Sequence, residues 1–486
     1  MARFGFIGGS YTSQSPAADA ELSMNWYPEV MESQGARTQM TLYDTPGLSD
    51  FANIGTYPVL AEIAINGRMF AVGSGALWEV SSNGTTTNRG SVSTTGAAAA
   101  QICVGNFYLF LTCNGHAYAM KLATNAFTEV TSSLAQSNPV FAFFFDGYYG
   151  VVFSGTDEFQ ISAAEDPTTW NGAQVAQVSV FPENIAGVIV SDRQLWIWGS
   201  EHGQVYYDSG NATFPLSVVP GAFSEEGLGA PSSAVRMDNS VFWIGGSERG
   251  QGIAWRAAGY VPMRVSTHAV EYAWSQYPAG VTDAIGYSYQ DQGHTFWVLY
   301  FPSGNATWVY DAATTLWHNR GHWNGSSQDA NLSQCHAFCF GMHLVGSRAD
   351  GTIYDMEIGY GTDAGTQIVR QRIAPVVTKE MDWYFHRQLL IDMQTGLARA
   401  GTNPLVALTW SDDGGQTWSN RHTVSAGIAG QNKARVVWRR LGRSRARIYS
   451  ISVTDQIPWR LFEAYLIADP DIRPVKRLSK YFGEMS

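Results

Sequence analysis

A unit of about 39 to 52 residues is written seven times between Pro58 and Val377. Each copy has a polar turn, an apolar or aromatic strand, a Gly-centred turn and a second strand. The copies begin near Asn66, Gly105, Asp146, Asp192, Asp238, Gln290 and Gly341. Asn66-Gly67-Arg68-Met69-Phe70-Ala71-Val72-Gly73 has the same grammar as Asp192-Arg193-Gln194-Leu195-Trp196-Ile197-Trp198-Gly199 and as Asp238-Asn239-Ser240-Val241-Phe242-Trp243-Ile244-Gly245. This spacing is the length of a four-stranded propeller blade. One blade buries too little apolar surface to stand alone, so the copies must close on one another. The repeat predicts an all-β chain built on a β-propeller. It has seven blades, or six if the first and last units share one. A pair of stacked sandwiches is the competing arrangement.

The flanks do not follow the repeat. Residues 1–57 predict an N-terminal arm, with Ser10 to Glu21 small, polar and extended. Trp26, Tyr27 and Tyr43 sit beside Pro turns, either in a strand that closes the ring or as anchors to another subunit. On the second reading, deleting residues 1–22 should spare folding and weaken assembly. The propeller is expected over 58–378. From about Glu380 strand-like runs continue without the blade period, which predicts a C-terminal β-sandwich over 379–470 and a basic tail over 471–486. Ser266 is placed to cap a short helix across Ala269–Gln276.

Charge is uneven. The chain carries −11 overall, yet twelve Lys/Arg stand against four Asp/Glu between Lys433 and Lys480, leaving −19 for the rest. Arg443, Arg445 and Arg447 alternate and would share one face of a strand, forming a ridge with Arg439 and Arg440. Phosphate contact, docking on a carboxylate-bearing protein, and a solvated edge that blocks sheet aggregation all fit such a ridge.

Ser411, Asp413, Gly415, Thr417 and Trp418 match the Asp-box pattern S-x-D-x-G-x-T-W. Its physics is a hairpin turn. Asp and Ser side chains hold backbone amides, Gly takes the turn, and Trp418 is expected to pack beneath as a core residue. No G-x-S-x-G, HExxH or P-loop run occurs, so neither catalytic nor cofactor-binding nor metal-ligating residues are expected. Glu225-Glu226 reads as an acidic loop. His318 and His322 flank Gly321 and make a poor helical metal pair. Cys103, Cys113, Cys335 and Cys339 read as reduced, buried thiols. The start Met1-Ala2-Arg3-Phe4 lacks the apolar segment of an export signal. The most apolar stretch, Pro139 to Phe153, is broken by Asp146 and too short to span a membrane.

Several stretches in this order resemble the tail-hub (nozzle) proteins of short-tailed phages, the packaged-DNA stabilisation family. They are Asn25-Trp26-Tyr27-Pro28, Thr45-Pro46-Gly47-Leu48, Asp166-Pro167 with Trp170, Gly227-Leu228-Gly229, Asp238 to Ile244, Ser266-Thr267 with Val270-Glu271, Ser411-Asp412-Asp413-Gly414, and Val437-Trp438-Arg439-Arg440-Leu441-Gly442-Arg443. The resemblance implies a non-enzymic virion tail subunit assembled in the host cytoplasm. It implies a homohexameric ring below the portal and its head-to-tail adaptor, extending the DNA channel and holding the packaged genome. A needle or plug and tail fibres or spikes would attach to it. A carbohydrate-binding propeller of a tail fibre is an alternative. So is a sialidase-like glycosidase, but the (Phe/Tyr)-Arg-x-Pro motif of that enzyme is missing.

Overall fold

The computed structural model describes residues 2–33, 35–131, 133–178, 183–247, 250–378 and 382–471. The expected basic tail therefore lies outside the described residues beyond Asp471.

The repeat folds as blades. Six antiparallel sheets of blade form are each made from one continuous run of chain, starting at Val59, Gln101, Pro139, Gly187, Gly227 and Ile285. A further sheet is composite. Its strands Ser333–Cys339, Met342–Ser347 and Thr352–Glu357 are completed by Gly47–Asn53, which pairs antiparallel with Thr352–Glu357. The innermost strand of each sheet touches that of the next, and Ser333–Cys339 returns to Val59–Ile65, so the ring is closed.

Local chemistry explains why the copies begin where they do. The turns from first to second strand hold Asn66-Gly67, Asp146-Gly147, Asp192-Arg193, Asp238-Asn239, Gln292-Gly293 and Phe340-Gly341, with φ positive at both residues of each pair. A two-residue hairpin with that geometry matches the twist of its strands and favours Asn, Asp and Gly. Between blades, alternate side chains interdigitate. Leu60, Phe70, Val72 and Leu77 meet Leu109, Leu111, Tyr118 and Met120 in one such seam. Each fully buried large apolar side chain contributes roughly 1.5–3 kcal/mol.

The C-terminal region is a two-sheet sandwich around Trp26, Leu42, Leu389, Ile391, Val406, Leu408, Tyr449, Ile451, Trp459 and Leu461. One sheet runs Trp26–Val30, Met40–Asp44, Leu461–Pro470, Tyr384–Met393 and Val436–Arg439, with Ala2–Phe4 added to Leu461–Pro470. The other runs Ala20–Met24, Arg370–Ile373, Ala446–Val453, Leu405–Ser411 and His422–Ser425. This second sheet does not stop at the domain edge. Ala20–Met24 also pairs in parallel with Leu316–Trp323, the outer strand of the sixth blade.

The N-terminal region is thus not a separate arm. It supplies five strands to the sandwich, Tyr11–Thr12 beside Ala20–Met24 among them, and one to the propeller, and it stitches the two together. Arg370–Ile373 and Val377–Thr378 pair with Ala446–Val453, so the chain up to 378 enters the sandwich before the expected boundary. The helix spans His268–Ser275, and its cap is Thr267, not Ser266. Ser266 is occupied elsewhere: its hydroxyl accepts from the amide of Ala254 and donates to Glu271.

Polar groups lock the junction. The Asn25 amide bonds the carbonyls of Gly321 and Val369, each at 2.9 Å, and accepts from Gly321 N at 2.8 Å. Arg372, fully buried, donates to the carbonyls of Phe6 (2.6 Å) and Gly9 (2.7 Å) and pairs with Glu21. His294 of the sixth blade stands between Asp311 (2.8 Å) and Glu29, which comes from the sandwich. Burial pulls the His294 pKa down, but the two carboxylates outweigh it and raise it from 6.5 to about 9. Stability from this contact should be complete below about pH 6.5 and lost as pH rises through about 9. The expected result is a melting-temperature gap between wild type and His294→Asn that shrinks from pH 6.5 to pH 9.5. A gap that stays constant would show that the imidazolium does not contribute.

A candidate assembly surface

Val436–Arg439 pairs with Tyr384–Met393 on one side only and forms the edge of its sheet. Its alternation places Val436 and Trp438 in the core, with the Trp438 indole N–H bonded to His422 O at 3.0 Å. The opposite face and the two flanks carry Lys433, Arg435, Arg439 and Arg440, all exposed. Arg440 occupies a left-handed turn at φ 60° that leads away from the strand. Among the described residues, none of these four has an ion-pair partner.

The rest of the expected ridge separates. Arg443 pairs with Asp471 at 2.7 Å, and Arg443 and Arg445 both lie over the Trp383 ring, at 4.6 and 4.9 Å. Arg447 turns inward. It is 2 % exposed and grips both carboxylate oxygens of Asp412, at 2.6 and 2.7 Å. It also donates to Leu441 O. The strand breaks at Arg445: Arg443–Ser444 pairs with Tyr384–Met393 in the first sheet, whereas Arg447 lies on Ala446–Val453 in the second, so the arginines do not share one strand face.

The Asp-box residues form one turn. Ser411 Oγ donates to Asp413 Oδ1 at 2.7 Å and accepts from Gly415 N at 2.8 Å, while Asp413 Oδ1 accepts from Thr417 N at 2.9 Å. The Thr417 hydroxyl first, then the Thr417 amide and Ser411, hold the Asp413 carboxyl down at about 2. Gly414 is required twice over: φ is +75°, and an added Cβ would meet Ala17 Cβ at 2.8 Å. The core role expected of Trp418 fails, since the residue is 39 % exposed and lies outside the sandwich core.

Trp26 and Tyr27 are likewise not anchors awaiting a partner. Trp26 is completely buried in the sandwich and bonds Asp44 at 3.2 Å. Tyr27 is packed edge-on against His294 and Phe296 of the propeller at 5.2 and 5.5 Å. Tyr43, half-buried, stacks on Tyr27 under Arg460. The sequence placed these aromatics at a boundary, but the boundary is internal to the chain. Arg372 and His294, which organise that boundary, carry no sequence signal of their own, because their partners are 17 to 366 residues away.

No group of three or more His, Cys, Asp or Glu among the described residues is arranged to hold a metal ion. His318 is buried with neither ring nitrogen bonded. All four cysteines are free thiols, and no described helix is long and apolar enough to cross a membrane.

The chain is thus a closed propeller stitched to a sandwich with a basic sheet edge. The chain belongs to the bacteriophage P22 Gp10 family, the tail-hub and DNA-stabilisation family: residues 3–359 match the family's beta-propeller and residues 369–466 its beta-sandwich. This makes the chain a virion component. No curated protein matches it. Among solved structures it is similar to the N-terminal domain of Nup159, at 11 % identity and TM-score 0.41, covering 69 % of this chain and 98 % of that one. It is also similar to the computationally designed Ika8 protein, at 9 % identity and TM-score 0.37, covering 63 % and 99 %. A third similarity is to the extracellular domain of the one component system BT4673 from B. thetaiotaomicron, at 8 % identity and TM-score 0.42, covering 81 % and 47 %.

Proposed function

We propose that this chain is a non-enzymic subunit of a homohexameric tail-hub ring, assembled in the host cytoplasm below the portal and its adaptor. The ring extends the DNA channel, retains the packaged genome, and carries a needle or plug with fibres or spikes. The observation that supports this reading is the unpaired basic edge, Lys433, Arg435, Arg439 and Arg440, on a chain that is acidic elsewhere. A solubilising surface would be served as well by mixed charge. A sheet edge bearing four cations without an ion-pair partner among the described residues instead suits an acidic face on a neighbouring subunit or the adaptor.

Direct DNA binding is less favoured, since the remaining negative charge repels duplex at range and a sliding genome gains nothing from a tight clamp. The test is Arg439→Glu with Arg440→Glu, assayed by native mass measurement without DNA. The double variant should stay folded and lose ring or adaptor assembly, and the wild type should bind free duplex weakly at moderate salt. Intact assembly by the variant with firm duplex binding by the wild type would assign the edge to DNA instead.

A further inference from the structure

One end of the sandwich holds a cavity of about 490 Å³. Phe4, Val377 and Leu466 give it apolar walls, and His386, Ser444 and Arg445 give it polar ones. The direction of its hydrogen bonds follows from Arg447, which can only donate. The positive charge of Arg447 beside the Tyr449 hydroxyl turns the single Tyr449 proton away, toward His386 Nδ1 at 2.8 Å. Burial first, then the charge of Arg447, holds the His386 pKa down at about 4, and the ring is neutral. Its proton therefore sits on Nε2 and is donated to Ser444 Oγ at 2.8 Å. The proton of Ser444 itself has no acceptor among the described residues.

The charges beside the cavity pair off in the same way. Asp469 lines it but is held by Arg387 at 2.8 Å, and Asp471 is held by Arg443 at 2.7 Å. Arg445 is left over, its guanidinium 4.9 Å from the Trp383 ring centre and without an ion-pair partner among the described residues. The unspent polar groups thus include the Ser444 and Tyr384 hydroxyls and the Arg445 cation, beside apolar walls in a half-open cavity.

We propose that this cavity binds the carboxylate end of an apolar chain, with Ser444 and Arg445 as its donors and Phe4, Val377 and Leu466 around the chain. Charge-assisted bonds from a guanidinium are the strong ones, and apolar walls reward a ligand that fills them. A fatty acid and the free C-terminus of an apolar peptide share this chemistry. The proposal does not depend on ring assembly.

Titration calorimetry on the full chain tests it with matched pairs: decanoate against decylammonium, and a short peptide ending in free leucine against its amidated twin. At least one carboxylate probe should bind roughly tenfold or more tightly than its twin, a difference of about 1.4 kcal/mol. Arg445→Gln should remove that advantage, and Ser444→Ala should weaken it severalfold, with melting unchanged for the exposed Arg445 variant. Preference for decanoate alone assigns a lipid source, and preference for the peptide alone assigns a protein terminus. Equal binding of a probe and its twin, no binding by either carboxylate, or affinity untouched by Arg445→Gln would overturn the proposal.

Discussion

A chain lacking residues 1–22 should fail to form the sandwich. Three losses coincide. The strand Ala2–Phe4 no longer covers Leu461–Pro470, and Phe6, completely buried, leaves the core. Arg372 loses the carbonyls of Phe6 and Gly9 together with Glu21, stranding a guanidinium that is fully buried. An uncompensated buried charge costs about 3–5 kcal/mol, and so does removal of a large core aromatic. Either figure alone approaches the whole stability of a domain. Ala20, Glu21 and Leu22 go as well, removing the Leu22–Ile373 pairing and shortening the strand whose Met24 joins Asn319 of the sixth blade to the sandwich. The propeller blades keep their own seams and should retain strand content. The measurement is a thermal melt with hydrogen exchange resolved along the chain. Loss of protection across 384–470 is expected. A truncated chain that melts within a few degrees of the full one, with the sandwich protected, would show that the arm is dispensable for folding.

The blades were legible in the sequence because everything that specifies them is local. A two-residue turn such as Asp238-Asn239 and the alternation on either side lie within one short window. The Asp-box was legible for the same reason. What could not be read was any feature whose partners are far apart in the chain. Gly47–Asn53 closes a blade some 300 residues downstream, and nothing in its own pattern names that partner. The continuous sheet through Ala20–Met24 is invisible for the same cause, which is why the region looked like an arm. At the candidate surface, composition located the basic edge correctly in the sequence. The strand break at Arg445 then divided it, because alternation orders side chains only within one continuous strand.

Arg447 shows the consequence most sharply. Arg447→Ala should lower the stability of the sandwich by roughly 3–4 kcal/mol, whereas Arg439→Ala should stay within about 0.5 kcal/mol. The Arg447 guanidinium lies over the Trp410 ring at 5.2 Å while it bonds Asp412, Leu441 O and the Tyr449 hydroxyl. Asp412 is 43 % exposed and can be rehydrated when Arg447 is lost, so little of the cost falls there. Most comes from the Leu441 carbonyl, the Tyr449 hydroxyl and the space left beneath Trp410, none of which water reaches without opening the sheet. Lysine should not rescue, since a single ammonium cannot satisfy the Leu441 carbonyl and the Tyr449 hydroxyl together or fill the space beneath Trp410. Any assembly defect caused by reversing Arg447 would then follow from unfolding and report nothing about the surface. Thermal melts of Arg447→Ala, Arg447→Lys and Arg439→Ala decide the matter. Three curves that coincide would mean that Arg447 is as solvated as its exposed neighbours and belongs on the ridge after all.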